Sequence, residues 1–199
     1  MKLFFEKGLG RMARKNVLIC WFGGCGKSTQ VKMLAKRFKL KALYTSRLFR
    51  EMQGFDTKKQ GWWESQGLKF GKIRLNNTSL DRALDKRIME MAKNGGFIMD
   101  SWTMPWLMDG KKAIKIWLEA EQETRAKRIA KRNKASLEET IKTTGERDIF
   151  NKKMYWQAYE IKFGEDLKPF DLILKTDSLS EKQVLETLSG FLKAVLKKK

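Results

Sequence analysis

With 199 residues, 42% of them hydrophobic and 33% charged, the chain suits one globular domain that needs no disulfides or structural metals. It has no histidine, which excludes His-ligated metal sites and imidazole acid–base catalysis, and no apolar run approaches the ~20 residues that would span a bilayer. The formal net charge of +20 attracts polyanions, but lysines spread along the whole chain favour a solvated basic surface over a nucleic-acid site.

Short apolar runs alternate with helical patterns, which is typical of parallel βαβ architecture. Residues 1–14 form an N-terminal extension of unknown role, and residues 15–199 a single domain. The predicted strands are Asn16–Trp21, Ala42–Thr45, Gly96–Asp100, Ile114–Leu118 and Asp171–Lys175. The predicted helices are Ser28–Phe38, about Asp81–Asn94, basic helices across Glu121–Phe163, and about Ser180–Lys197 with Ser180 as N-cap.

The first strand leads into a glycine-rich turn, followed by a lysine, a serine and a helix. Glycines allow successive backbone N–H groups to surround an anion, and the helix adds its positive end. In the P-loop signature G-x-x-x-x-G-K-[ST], the lysine reaches the β- and γ-phosphates and the hydroxyl holds Mg²⁺. We therefore predict binding of ATP and Mg²⁺ at the loop residues Gly23, Gly24, Cys25, Gly26, Lys27, Ser28 and Thr29.

Trp21 departs from this signature, because it stands where the first glycine belongs. We expect it to change the detailed shape of the loop rather than its role. The alternative interpretation is a glycine-rich turn that holds no phosphate.

Ligands of an open parallel sheet bind at the carboxyl ends of its strands, so the segments that follow the strands are expected to converge. Beside the P-loop, these segments are Thr45–Arg50, Asp100–Trp106 and Thr176-Asp177. The Arg50 guanidinium suits a monophosphate, which it can hold through two hydrogen bonds. Asp100 is predicted to order Mg²⁺ together with Ser28, or, alternatively, to cap a helix.

Arg125, Arg128 and Arg132 recur at spacings of three and four, so they share one helix face, and Arg147 follows farther on. Phosphoryl transfer depends on alignment, Mg²⁺ and cations that stabilise the transferring group, so a flap that carries arginines suits this chemistry. The alternative is a solvated helix whose arginines pair with nearby glutamates.

The chain resembles the nucleoside monophosphate kinases, and most of all the archaeal-type cytidylate kinases, from Val17 to about Leu196. The resemblance rests on the P-loop and on Leu48-Phe49-Arg50, the helix Leu80–Asp85, Ile116-Trp117-Leu118, Arg125–Arg132, Glu146-Arg147-Asp148 before Tyr155 and Tyr159, and Phe170–Leu174. It implies an α/β fold of the P-loop NTPase class with three α/β/α layers and a five-stranded parallel sheet. It also implies acceptor-binding helices at about 46–94 and a helical lid at about 128–150.

The resemblance further implies Mg-ATP-dependent phosphorylation of CMP or dCMP. The implied residues are Lys27, Arg128, Arg132 and Arg147 for catalysis, the P-loop and Thr176 for ATP, Thr45, Arg50, Asp81 and Trp102 for the acceptor, and Ser28 and Asp100 for Mg²⁺. Many cytidylate kinases carry an arginine on the monophosphate where this chain has Trp102. That tryptophan, with Trp62, Trp63 and Trp106, is a candidate to stack on a base or to be buried.

Two other functions stay open at the level of sequence. The charge of +20 and the missing acceptor arginine favour a polynucleotide or RNA-associated kinase. Trp21 and Trp102 favour a nucleotide-binding module that no longer catalyses. We expect a monomer of the reducing cytoplasm, without a secretory signal or membrane partner, that acts on a small nucleoside monophosphate.

Overall fold

The computed structural model describes residues 15–55, 71, 74–75 and 77–197. Five parallel strands form one sheet in the order β2-β3-β1-β4-β5. The strands are β1 (Asn16–Cys20), β2 (Lys41–Tyr44), β3 (Phe97–Asp100), β4 (Ala113–Glu119) and β5 (Leu172–Lys175). All five predicted strands are confirmed, with each end within one residue of the predicted position.

The helices that follow these strands also agree with the sequence pattern. They are α1 (Lys27–Phe38), α2 (Thr45–Met52), α3 (Ser79–Met91), α4 (Met104–Leu107), α5 (Gln122–Asn133), α6 (Leu137–Tyr159) and α7 (Glu181–Lys197). The predicted cap of α7 is confirmed, because the Gln183 N–H donates to the Ser180 hydroxyl at 3.3 Å. The short helix α4 was not predicted, since Pro105 indicates a break; proline is nonetheless tolerated in a first helical turn.

The alternation of side chains along β1 separates two hydrophobic layers. Val17 and Ile19 face a core built with α1 and α7. Leu18 faces the opposite core, to which α2 contributes Phe49 and α3 contributes Leu84 and Ile88. Helices therefore cover both faces of the sheet, and the predicted three-layer α/β/α class is confirmed.

A third group of side chains, here called the aromatic cluster, packs around Cys20 of β1, Trp117 of β4 and Phe163. Trp102 stacks on the buried Phe163 ring with centroids 5.2 Å apart, and its centroid lies 5.8 Å from that of Tyr155. Trp106 and Trp117 join the same group. The sequence left Trp102 and Trp106 as either base-stacking or buried residues; in the structure both are half-buried and pack against this cluster.

Some predicted features lie outside the described residues: the extension 1–14, Trp62, Trp63 and parts of the acceptor segment 46–94. Cys20 and Cys25 are both buried and free. Within the described part of the chain, no helix combines the length and the apolar character needed to cross a membrane.

Candidate active site

The loop between β1 and α1 has the backbone conformation expected of a phosphate-binding turn. Gly24 and Gly26 have φ angles of 88° and 96°, in the left-handed region that side chains with a Cβ disfavour. α1 begins at Lys27, directly after Gly26, so its unpaired N–H groups and its positive end lie at the loop. The geometry suits an anion.

The Lys27 ammonium lies within this loop. Its Nζ atom donates to the carbonyl oxygens of Trp21 at 2.5 Å and Phe22 at 2.8 Å. It also lies 5.1 Å from the centre of the Trp102 ring, a distance at which a cation is attracted to an aromatic face. The predicted catalytic lysine is thus held beside both the loop and the segment that follows β3.

Trp21 adopts a φ angle of 146°, which glycine populates easily and a tryptophan does not. Such a conformation costs about 1–3 kcal/mol and persists only where the surroundings hold it. The Trp21 ring packs edge-on against Trp117, with centroids 4.3 Å apart, and against Phe22 at 4.8 Å. The aromatic cluster therefore supports a backbone conformation that the signature assigns to glycine.

Ser28 and Asp100 come together as predicted, with the Ser28 hydroxyl donating to the Asp100 carboxylate at 2.6 Å. The other carboxylate oxygen accepts the Thr45 N–H at 3.0 Å, so Asp100 also caps the start of α2. Burial raises the pKa of Asp100, although Ser28, Lys27 and the Thr45 N–H favour the ionised form.

Oxygen donors of this kind suit Mg²⁺. Among the described residues, no group of three or more His, Cys, Asp or Glu side chains has the arrangement to hold a metal ion by itself. Ser28 and Asp100 therefore fit a Mg²⁺ ion that takes its remaining ligands from phosphate oxygens and water. The metal role of both residues stays a prediction.

Three of the predicted arginines surround the same space from α5 and α6. Arg128 donates to the Thr176 hydroxyl at 3.2 Å and to the Thr176 carbonyl at 2.6 Å. Arg132 donates through Nε to Asn133 at 3.0 Å. The Arg147 guanidinium lies 5.8 Å from the centre of the Trp102 ring. The three arginines thus lie around the P-loop, although the Arg132 side chain is exposed.

These residues line one cavity of about 700 Å³. The predicted residues in its wall are the P-loop from Gly23 to Thr29, Asp100, Trp102, Arg128, Arg132, Arg147 and Thr176. Sequence reasoning missed the end of the cavity formed by Leu179, Glu181 and Val184. The sequence carried no signal for it, because this end is brought to the P-loop helix by a long-range contact, in which the Gln30 amide donates to the Glu181 carbonyl at 2.9 Å.

Three predicted acceptor residues, Thr45, Arg50 and Asp81, lie outside the wall of this cavity. Arg50 donates through Nε to the carbonyl of Ser46 at 3.3 Å, and Ser46 itself lines the cavity. Asp81 is buried and forms an ion pair with Arg74, whose Nε lies 3.1 Å from the carboxylate. The acceptor roles of Arg50 and Asp81 stay predictions.

Arg125 has a different environment from the arginines with which it shares a helix face. Its side chain is 4% exposed and forms an ion pair with Asp148 at 2.5 Å. Its Nη1 atom donates to the Gly23 carbonyl at 3.2 Å. The spacing of three and four residues gave no sign of this difference, because it depends on a contact with a distant loop.

Comparisons with known proteins show the family of the chain. A family model described as an AAA domain matches residues 22–142. The cytidylate kinase of Pyrococcus horikoshii is 31% identical over 168 residues, which cover 84% of this chain and 83% of that protein. The chain belongs to the cytidylate kinase family. The cytidylate kinase of Staphylothermus marinus is 30% identical over 177 residues, covering 87% of this chain and 94% of that protein.

A solved structure supports the same fold. The shikimate kinase from Bacteroides thetaiotaomicron has a TM-score of 0.58 and 13% identity, and the match covers 92% of this chain and 99% of that one. At this identity the likeness shows the fold alone. Membership of the cytidylate kinase family makes the chain a phosphotransferase, not a passive nucleotide-binding module.

Proposed function

We propose that the chain transfers the γ-phosphoryl group of Mg-ATP to CMP or dCMP. The main observation in support of this proposal is that the P-loop, Arg128, Arg132 and Arg147 line the same cavity. Two cytidylate kinases with about 30% identity over most of the chain support the choice of acceptor. A monomeric state and a cytoplasmic location remain predictions.

In this reaction, a phosphate oxygen of the acceptor forms a bond to the γ-phosphorus of ATP. The bond between that phosphorus and the β–γ bridging oxygen breaks, and ADP leaves. There is little covalent chemistry for the protein, so catalysis comes from alignment and charge stabilisation. Lys27, Arg132 and Arg147 supply cations around the transferring group. Mg²⁺, when bound at Ser28 and Asp100, supplies charge neutralisation at the phosphates.

The acceptor enters beside α2 and the segment after β3. Ser46 and Trp102 form that side of the cavity, and Arg50 lies one helical turn beyond Ser46. Trp102 presents an aromatic surface where a guanidinium would otherwise hold the monophosphate. We therefore assign the phosphate contact to Arg50, and a contact with the nucleoside to Trp102.

A coupled assay of ADP release across nucleoside monophosphates tests the proposal. We expect the highest kcat/KM with CMP or dCMP, lower values with UMP, AMP and GMP, and no turnover by the matched Lys27→Ala variant. A 5′-hydroxyl oligonucleotide belongs in the same panel, because the net charge of +20 favours a polyanionic acceptor. Turnover with the oligonucleotide alone, or with none of the acceptors, would contradict the proposed function.

A further inference from the structure

The buried ion pair between Arg125 and Asp148 connects three parts of the site. Arg125 belongs to α5, Asp148 to α6, and Gly23, whose carbonyl accepts from Arg125, to the P-loop. The two guanidinium ends donate to both carboxylate oxygens of Asp148, at 3.3 and 2.5 Å. The Nε atom donates to the Ala120 carbonyl at 3.1 Å. All three guanidinium nitrogens of Arg125 therefore donate to protein oxygens. We accordingly give Arg125 no contact with phosphate, unlike Arg132 and Arg147.

The contact with Gly23 selects one orientation of a peptide group. In a trans peptide, the C=O and N–H point in opposite directions. A Gly23 carbonyl held by Arg125 thus directs the N–H of Gly24 away from that guanidinium. Both residues of this peptide are glycines, so no side chain opposes rotation of the peptide plane. The bond from Arg125 supplies the restraint that the loop's own sequence lacks.

The loop also has no room to move toward α5. A Cβ atom on Gly24 would lie 2.7 Å from the backbone oxygen of Arg125 and 3.0 Å from its Cβ. A Cβ on Gly23 would lie 2.9 Å from the Nη1 atom of Arg147. Because Arg147 precedes Asp148 in α6, the ion pair holds this part of α6 at the loop.

We propose that Arg125 and Asp148 form a positioning pair, which holds the Gly23–Gly24 peptide in the orientation that receives phosphate and keeps Arg147 beside it. This inference rests on the proposed ATP site. Neither residue touches the reacting atoms; each acts through the loop and through Arg147.

Calorimetric titration with ATP and with inorganic tripolyphosphate tests the pair in two variants. Arg125→Lys keeps the charge, but one ammonium cannot bond to Gly23 and to both oxygens of Asp148. Asp148→Asn removes the charge with little change of shape. We expect each variant to bind both probes at least about tenfold more weakly, with the KM for CMP changed less than about threefold. The double variant is expected to be no weaker than the single ones, since the residues act as a unit.

Lys127→Ala is the matched control, because Lys127 lies on the same helix in an exposed ion pair with Glu123 at 2.6 Å. It is expected to bind both probes like the unmodified chain. If Arg125→Lys and Asp148→Asn bind both probes as tightly as the unmodified chain, the inference is overturned, whether or not the variants lose thermal stability. If the unmodified chain binds neither probe, the proposed function fails first, and the inference fails with it.

Discussion

The Ser28 hydroxyl donates to the Asp100 carboxylate at 2.6 Å, although the two residues are 72 positions apart. The contact joins the first turn of α1 to the end of β3, and the Thr45 N–H joins α2 to the same carboxylate. One side chain thereby connects three elements where Mg²⁺ and the phosphates of ATP are proposed to lie. A substitution that keeps the shape of Asp100 and removes its charge therefore tests metal binding with the least change to the contacts between these elements.

Asp100→Asn is expected to raise the Mg²⁺ concentration for half-maximal activity by about tenfold or more, because a neutral amide is a poor Mg²⁺ ligand. Burial raises the pKa of Asp100, so the protonated form accumulates at a higher pH than for an exposed aspartate and activity falls on the acid side. Titration of Mg²⁺ at several pH values measures both effects. Asp109→Asn, at an exposed site, is the control. An unchanged Mg²⁺ requirement would exclude Asp100 from the metal site.

Arg132→Ala and Arg147→Ala are expected to lower kcat by about 10²-fold or more, with ATP affinity changed less than about tenfold. The reason is that cations on a lid act on the charge that develops during transfer rather than on bound ATP. Lysine is expected to rescue poorly, since an ammonium lacks the planar pair of donors. Single-turnover rates of these variants, with Lys142→Ala at an exposed position of α6 as control, decide the matter. Unchanged rates would identify the two arginines as ordinary basic surface.

Arg50→Ala is expected to raise the KM for the monophosphate much more than the KM for ATP. A charge-assisted contact contributes roughly 1.5–3 kcal/mol, which corresponds to a tenfold or larger change. Arg47 lies on the same helix but pairs with Glu51 at an exposed site, so Arg47→Ala is a matched control. Steady-state kinetics with each substrate varied in turn provides the test. Equal effects on both substrates would argue against an acceptor role for Arg50.

Asp85 makes the stability of the fold depend on pH. Its carboxylate is buried and accepts hydrogen bonds from Tyr159 and from Thr103, the latter at 2.8 Å. Burial raises the pKa of Asp85 to about 6, so the folded state binds this proton more tightly than the unfolded chain does. The stabilisation from the bound proton is complete below pH 4 and is lost as the pH rises through about 6.

Asp85→Asn is expected to remove the loss of stability that the unmodified chain shows as the pH rises through about 6. The free energy of unfolding of the variant, relative to the unmodified chain, should increase by on the order of 2–3 kcal/mol between pH 4 and pH 7. Urea unfolding at both pH values measures the difference, which cancels the titration of the other carboxylates. A difference that does not vary with pH would show that Asp85 ionises in the folded protein as it does in the unfolded chain.

The strands were predictable to within one residue because short apolar runs between turn residues carry their own boundaries. The order of the strands was not, since nothing in the local pattern of β1 indicates that β3 and β4 are its neighbours. The helix α4 was missed because proline breaks a helix in most positions but not in the first turn. Local physics therefore predicts the elements, and long-range packing decides how they are arranged.

The same division applies to the site. The convergence of Lys27, Ser28 and Asp100 was predictable, because they follow or end strands β1 and β3 and the carboxyl ends of parallel strands meet at one edge of the sheet. The burial of Arg125 was not, since helical spacing groups it with Arg128 and only the contacts with Gly23 and Asp148 distinguish it. The position of Trp21 in the signature indicates a glycine-like φ angle, but its support had no local signal, because that support comes from Trp117, which is distant in sequence.

The position of Trp102 between two cations affects its fluorescence. Its ring lies 5.1 Å from the Lys27 ammonium and 5.8 Å from the Arg147 guanidinium, the two cations that are proposed to engage the transferring phosphate. Indole emission responds to nearby charge, so movement of these cations toward a bound nucleotide changes the fluorescence of Trp102. The chain carries seven tryptophans, and the spectrum of a Trp102→Phe variant isolates this contribution by subtraction. The enzyme thus contains an intrinsic, label-free reporter at the centre of its own reaction.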